Sequence, residues 1–325
     1  MKAIKFNKRN IESESNRALE NQILPGLERG KVGFLLGKPA IGKTYFLLSL
    51  AYEIATGKNL LGVSDGTKHK VLYVAAEDGV APIFSRSKAH LSQFTGTELK
   101  LLEQNLAMVE LDAPIVSRTP NDPSTTQSLQ NLIDLSMAYD LVIVDTIRKA
   151  MGSAREVEED TLVDVALTKL TGAANCAVLC SHHLTKSQVS VTKHGVEIDS
   201  TGGSGLSVTQ QTSKYHLFLS KNVEGGLSLI HSKDNYVPRD HRHYSAKTPL
   251  QLTLTKQQLM VAIGAEISSD ETNEPVKNKP STKLSKKAME RLKRPKSEDG
   301  FELVKATNST QQTLTLFGTV DDDDL

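Results

Sequence analysis

Short apolar runs of strand length alternate with longer stretches of helical spacing through the first 264 residues of the chain. Residues 31–36 (KVGFLL), 71–75 (VLYVA), 140–144 (DLVIV) and 176–180 (CAVLC) are β-branched or aliphatic and too short for helices, which predicts buried strands. Between them, residues 44–55, 82–93, 126–138 and 160–174 carry apolar positions at i, i+3 and i+4, which predicts helices. Strand and helix in alternation imply an α/β fold with a mainly parallel sheet flanked by helices on both faces. Residues 215–219 (YHLFL), 227–232 and 251–255 read as later, hairpin-connected strands. No internal repeat is visible.

Composition changes the picture beyond residue 264. Residues 265–325 hold ten Lys or Arg and twelve Asp or Glu among many Ser, Thr, Asn and Pro, a composition that predicts disorder. Three segments are therefore expected: a lead-in over 1–20, one α/β domain over 21–264, and a charged tail over 265–325. Within the tail, residues 275–296 carry nine basic side chains against the single acid Glu290, and Asp321 to Asp324 stand just before the last residue, Leu325. The net charge of +1 over 325 residues is thus an average, and it excludes an argument from net charge to a nucleic-acid partner without excluding a local basic patch. Two cysteines, Cys176 and Cys180, rule out a disulfide framework, and no apolar stretch approaches membrane-helix length. A cytoplasmic protein without membrane contact is the expectation.

The chemistry starts at GKPAIGKT, where Gly37, Lys38, Pro39, Ala40, Ile41, Gly42, Lys43 and Thr44 match G-x-x-x-x-G-K-[ST] between a strand and a helix. Backbone amides in such a loop curl round a phosphate, the helix N-terminus adds positive potential, the lysine reaches the β and γ phosphates, and the hydroxyl ligates magnesium. ATP and Mg²⁺ are the implied substrate and cofactor. Asp145 closes LVIVD and fits the magnesium-linked carboxylate at the end of a second strand. After VLYVA come Glu77 and Asp78; Glu77 is placed to polarise the attacking water, and Asp78 to cap the following helix. The run CAVLC leads into Ser181, His182 and His183. A zinc site is disfavoured there, since alternate residues of one strand point to opposite faces. One histidine as a γ-phosphate sensor fits better, ahead of a long polar loop over 185–206 that contains Gly202, Gly203 and Gly205.

These segments in order resemble the RecA-like ATPase core, and more narrowly the RepA-type replicative helicases of plasmids and phages, which are hexameric rings. The likeness rests on GKPAIGKT, YVAAED at 73–78 followed by Arg86, VIVDTIRK at 142–149, SHHLTKS at 181–187, STGGSG at 200–205 and SKDNY at 232–236. The resemblance implies Lys43 and Thr44 for phosphate and magnesium, Arg86 at the nucleotide, Glu77 as catalytic base, Asp145 for magnesium and His183 as sensor. It also implies a homo-hexamer that moves along single-stranded DNA, with Arg148, Lys149, Lys186 and Lys193 facing the central channel. The family's arginine finger has no arginine counterpart here: either Lys214 or Lys233 substitutes, or hydrolysis is weak, and Lys233 is the choice. In the tail, QQTLTLF fits Q-x-x-L-x-L-F and looks like the motif that docks on the bacterial DNA polymerase sliding clamp, with Gln311, Leu314, Leu316 and Phe317 as contacts. A RecA-like recombination or repair ATPase shares every nucleotide-site residue and is the competing expectation.

Overall fold

The computed structural model describes residues 4–116, 126–152, 160–184, 189–192, 195–198, 212–221, 225–234, 244–245 and 248–265. The first element is a helix, α1 (Lys8–Glu20), started by the Asn7 side chain accepting the Asn10 amide. None of its residues is buried. A two-stranded hairpin of β1 (Gln22–Leu24) and β2 (Leu27–Glu28) follows. Strand β3 (Val32–Gly37) then leads through the glycine loop into α2 (Lys43–Thr56). Residues 44–55 carry apolar side chains on nearly every face, and a helix of that kind settles only where it is covered all round. From Phe46 to Thr56 every residue of α2 is buried.

Next come β4 (Val71–Ala75), α3 (Val80–His90), α4 (Gly96–Asn105) and β5 (Leu106–Val109). Thr95 and Glu98 form a reciprocal capping box at the start of α4, a sequence signal that the hydrophobic pattern alone does not carry. Then follow α5 (Gln127–Ser136), β6 (Leu141–Asp145), the one-turn α6 (Ile147–Ala150), α7 (Asp160–Ala174) and β7 (Ala177–His183). A separate hairpin pairs β8 (Val189–Thr192) with β9 (Gly195–Ile198). The described fold closes with β10 (Tyr215–Lys221), β11 (Leu227–Asp234), β12 (Leu250–Leu254) and β13 (Met260–Ala262).

Nine strands make one sheet in the order β13-β12-β11-β10-β3-β7-β6-β4-β5. From β10 to β5 every neighbour is parallel, whereas β10 to β13 are joined antiparallel. This is the expected RecA-like P-loop core. The order places β7 between the glycine-loop strand β3 and the Asp145 strand β6. Strand β7 also runs three residues past the expected end at Cys180, because β3 pairs Leu35 with Ser181, Leu36 with His182 and Gly37 with His183.

Alternation along each strand splits the interior into two cores. Val71, Tyr73, Leu141, Ile143, Ala177 and Leu179 pack with α2 on one face, while Leu72, Val74, Val142, Val144, Val178 and Cys180 pack with α5 and α7 on the other. Carrying the same parity forward sets Asp145, Ser181 and His183 on the α2 side and His182 with Cys180 on the far side. Cys180 and His183 therefore diverge, which is the physical reason the histidine pair does not converge with the cysteines on one metal. Both cysteine thiols are buried and shifted upward by that burial, Cys176 to about 11. Among the described residues, no helix is long and apolar enough to cross a membrane.

Candidate nucleotide site

In an open parallel sheet the carboxyl ends of the strands and the helix N-termini converge on one edge, where ligands bind. The glycine loop needs two left-handed residues to turn from β3 into α2: Ala40 has φ 57° and Gly42 φ 103°. At Gly42 a Cβ would also come 3.2 Å from the Met260 methyl of β13. The turn aims the first amides of α2 at a cavity of about 340 Å³. That cavity is lined by Ala40 and Gly42 from the loop, Lys43, Thr44 and Tyr45 from the start of α2, Glu77, Asp78 and Arg86 beyond β4, Asp145 at the end of β6 with Thr146 just after it, and His183 at the end of β7.

Lys43 is 5 % exposed, and its ammonium donates to the carbonyls of Gly37 and Lys38, both at 3.1 Å. It also lies 2.8 Å from His183 Nδ1. Burial lowers the lysine to about 8, partly opposed by Asp145 and Glu77. Burial and then the Lys43 charge likewise lower His183, with Glu77 and Asp145 pulling the other way. The lowered His183 favours a neutral imidazole that accepts from the Lys43 ammonium at Nδ1, which puts the ring proton on Nε2.

Asp145 is 4 % exposed and held by three hydroxyls. Its Oδ2 accepts from Thr44 Oγ1 at 2.7 Å and from Tyr73 at 2.8 Å, and its Oδ1 accepts from Ser181 at 2.5 Å. A hydroxyl and a carboxylate oxygen in contact at the mouth of a phosphate loop are hard oxygen donors of the kind magnesium takes. Thr44 and Asp145 thus fit that ion. Burial, with Asp145 alongside, drives the Tyr73 phenol well above its ordinary range, so it remains a donor.

Glu77 is exposed within the cavity, and its position is set by its backbone: the amides of Ala76 and Glu77 donate to the Asp145 carbonyl at 2.9 and 3.1 Å. Asp78 differs from expectation. Gly79, at φ 75°, is the N-cap of α3, and Asp78 instead accepts from Arg86 at 2.6 Å. The amide of Val80 is taken by Glu110, at the end of the β5 strand. A Cβ on Gly79 would meet that carboxylate at 2.7 Å, so the glycine leaves room for a long-range cap that local spacing cannot reveal. Arg86, steered by Asp78, lies 6.0 Å from the centre of the Tyr45 ring. Tyr45 in turn donates to Gln258 at 2.9 Å.

The remaining expected residues divide. Gly37 ends β3, while Lys38, Pro39 and Ile41 face a second cavity of about 260 Å³ on the other flank of the loop, with Phe218 to Lys221. Lys233 is away from the cavity: it pairs with His216, whose other partner is Phe34 near the start of β3. Lys214 is close enough to Lys233 to lower it, after burial, from the ordinary lysine value. Arg148 and Lys149 lie on α6; Arg148 donates to the Gly152 carbonyl at 2.9 Å, and Lys149 is exposed. Lys186, Lys193, Gln311, Leu314, Leu316 and Phe317 lie outside the described residues. Sequence reasoning did not single out Tyr73, Ser181 or Thr146. The alternation within VLYVA and CAVLCSH carried the signal for the first two.

A family model described as AAA domain (AAA_25) matches residues 8–189. The DNA repair protein RadA of Chlamydia pneumoniae is 28% identical over 168 residues, which is 50% of this chain and 30% of that protein. The chain thus spans about a third of that relative's length.

Proposed function

The chain belongs to the AAA domain family, and from that premise we propose that it is an ATP-dependent DNA translocase, a hexameric helicase of phage or plasmid replication. The observation that carries the reading is the convergence of Lys43, Thr44, Glu77, Asp145 and His183 on one cavity at the carboxyl edge of the sheet.

In this reading the loop amides and Lys43 bind the phosphates, Lys43 exchanging the Gly37 and Lys38 carbonyls for phosphate oxygens. Thr44 and Asp145 hold magnesium, which when bound neutralises charge that builds on the β and γ phosphates. Tyr73 and Ser181 fix the carboxylate that does so. Glu77 takes the proton of the attacking water. His183 shares Lys43 with the phosphate, so arrival or loss of the γ-phosphate changes the hydrogen bonding at the end of β7, ahead in sequence of Lys186 and Lys193. Together with Arg148 and Lys149, those lysines contact single-stranded DNA phosphates, an electrostatic and salt-sensitive mode. Because Arg148 already serves the Gly152 carbonyl, Lys149 carries more of that contact. Lys233, with Lys214 beside it, reaches a neighbouring subunit's γ-phosphate in place of an arginine finger. The 311–317 motif docks on a bacterial sliding clamp.

The likeness to a DNA repair protein favours a second reading, a recombination or repair ATPase that binds DNA without processive unwinding. One set of assays tests both. Single-stranded DNA should stimulate ATP turnover, Lys43→Ala should abolish nucleotide binding, and Glu77→Gln should bind ATP while losing about 100-fold or more in turnover. Closed six-membered rings by negative stain, with strand separation on a forked substrate, support the helicase. Filaments without strand separation support the repair reading, and a chain indifferent to DNA defeats both. Lys233→Ala with full turnover would remove that residue from the trans role, and clamp binding that survives deletion of 311–317 would remove the tail motif.

A further inference from the structure

Thr146 follows Asp145 directly and is the N-cap of α6, yet its side chain makes no capping bond. Threonine at that place ordinarily accepts a helix amide with its hydroxyl. Here Thr146 is 2 % exposed, lines the nucleotide cavity, and its Oγ1 has no hydrogen-bond partner among the described residues. A buried hydroxyl left without a partner costs stability, so its retention beside a reactive site calls for a ligand that completes it.

The backbone indicates which ligand. Ala75 pairs with Asp145 across β4 and β6, and the amides of Ala76 and Glu77 both donate to the Asp145 carbonyl. That carbonyl belongs to the peptide unit that joins Asp145 to Thr146. Glu77 and Thr146 are therefore fixed to one peptide group and line one cavity. We infer that the Thr146 hydroxyl and the Glu77 carboxylate together hold the water that attacks ATP, an inference that rests on the ATP-hydrolysing reading above. One hydrogen of the water goes to Glu77 and the other to Thr146 Oγ1, which leaves a lone pair for phosphorus. The bond from water oxygen to the γ-phosphorus forms, and the bond from that phosphorus to the β,γ-bridging oxygen breaks with its electron pair departing on ADP. Glu77 receives the water's proton, and Thr146 keeps its own.

Thr146→Val preserves shape and removes only the hydroxyl; Thr146→Ser restores it, and Thr146→Ala provides a smaller alternative should valine fold poorly. With magnesium and ATP on the full chain, valine should lower kcat about 10- to 100-fold, the order expected for a misplaced nucleophile, and leave affinity for fluorescent ADP within about twofold. Serine should recover most of the turnover. Without nucleotide the valine variant should melt at or above the wild type, since an unpartnered hydroxyl has been removed. A purely structural threonine would give the opposite pattern, a lower melting temperature with nucleotide affinity and turnover falling in step, and that result overturns the inference. So does a valine or alanine variant whose kcat stays within about threefold of wild type. If the wild-type chain binds ATP but hydrolyses none, the ATPase reading itself falls and takes this inference with it.

Discussion

Glu53 lies in the third turn of α2, fully buried, and its carboxylate gathers the loop that follows the helix. Oε2 accepts the amides of Leu60, Leu61 and Gly62 at 3.0, 2.5 and 3.1 Å, and Oε1 accepts those of Val63 and Ser64 at 2.9 and 2.7 Å. The same loop carries the outer strand β13, because the Leu60 carbonyl accepts the Ala262 amide at 2.8 Å. Glutamine has nearly the same shape but only one acceptor oxygen. In its better orientation the amide oxygen keeps the three Oε2 bonds, and its NH₂ group faces the amides of Val63 and Ser64 donor to donor. Two bonds to a charged acceptor are then lost, each worth roughly 1.5–3 kcal/mol, and the survivors weaken on becoming neutral. The lower cost of burying a neutral group offsets part of this, which leaves a net loss of about 4 kcal/mol. At about 2–4 °C per kcal/mol for a domain of this size, Glu53→Gln should melt roughly 10 °C below wild type. Thermal and urea unfolding followed by circular dichroism on the full chain measure this directly. A melting temperature within about 2 °C of wild type would refute the five-amide account of Glu53.

Two further predictions concern titration. Lys43, lowered to about 8 in the free protein, regains its proton when phosphates replace the carbonyls, so ATP binding at pH 8 should take up about half a proton. Calorimetry in buffers of different ionisation enthalpy reads that uptake, and ATP affinity should weaken as pH rises from 8 to 9.5; affinity that is flat over that range contradicts the lysine environment described. The same depression below the ordinary 10.5 means the unfolded chain binds more protons between about 8 and 10.5, so the nucleotide-free fold gains stability from Lys43 as pH rises through that window. At the opposite edge of the sheet, burial raises Asp140, but His69, the Lys70 amide at 2.7 Å and Arg29 at 2.5 Å outweigh it and hold the carboxyl below its usual range. A depressed carboxyl stabilises the fold above its unfolded value near 3.8 and loses that contribution as pH falls through the lower folded value. Asp140→Asn should therefore melt below wild type at pH 7, and the gap should narrow progressively as pH falls below 3.8 toward the depressed folded value; a gap that does not narrow in acid would assign the loss to packing instead.

Much of the site was legible along the chain because local chemistry fixes it. A glycine loop between strand and helix dictates where phosphate binds, and Asp145 after four apolar residues marks a strand end. Alternation with a period of two, applied to VLYVA, LVIVD and CAVLCSHH, already assigns Tyr73, Asp145, Ser181 and His183 to one face. Extending the third run through His183 needed the pairing with β3. Helix α4 was marked locally by Thr95 and Glu98, whereas strand β5 and the Glu110 cap of α3 depended on partners that no short window contains. The Asp78 to Arg86 pair shows the same limit: an acid before a helix is equally placed to cap it or to hold an arginine a few residues along, and the available cap from Glu110 decided the matter.

The sequence by itself determined the residue types, the turn that exposes the loop amides, and the face each strand residue takes, since these follow from steric and periodic rules acting over a few residues. Only the tertiary structure decided that β7 lies between β3 and β6. That order brings His183 against Lys43 and Ser181 against Asp145, and it makes one cavity of four separate motifs. Strand order is a choice among backbone hydrogen-bond partners that are locally equivalent, so it is settled by the packing of α2 on one face and α5 and α7 on the other. The Thr146 hydroxyl, which has no partner among the described residues, belongs to the same level, because the lack of a partner shows only in three dimensions.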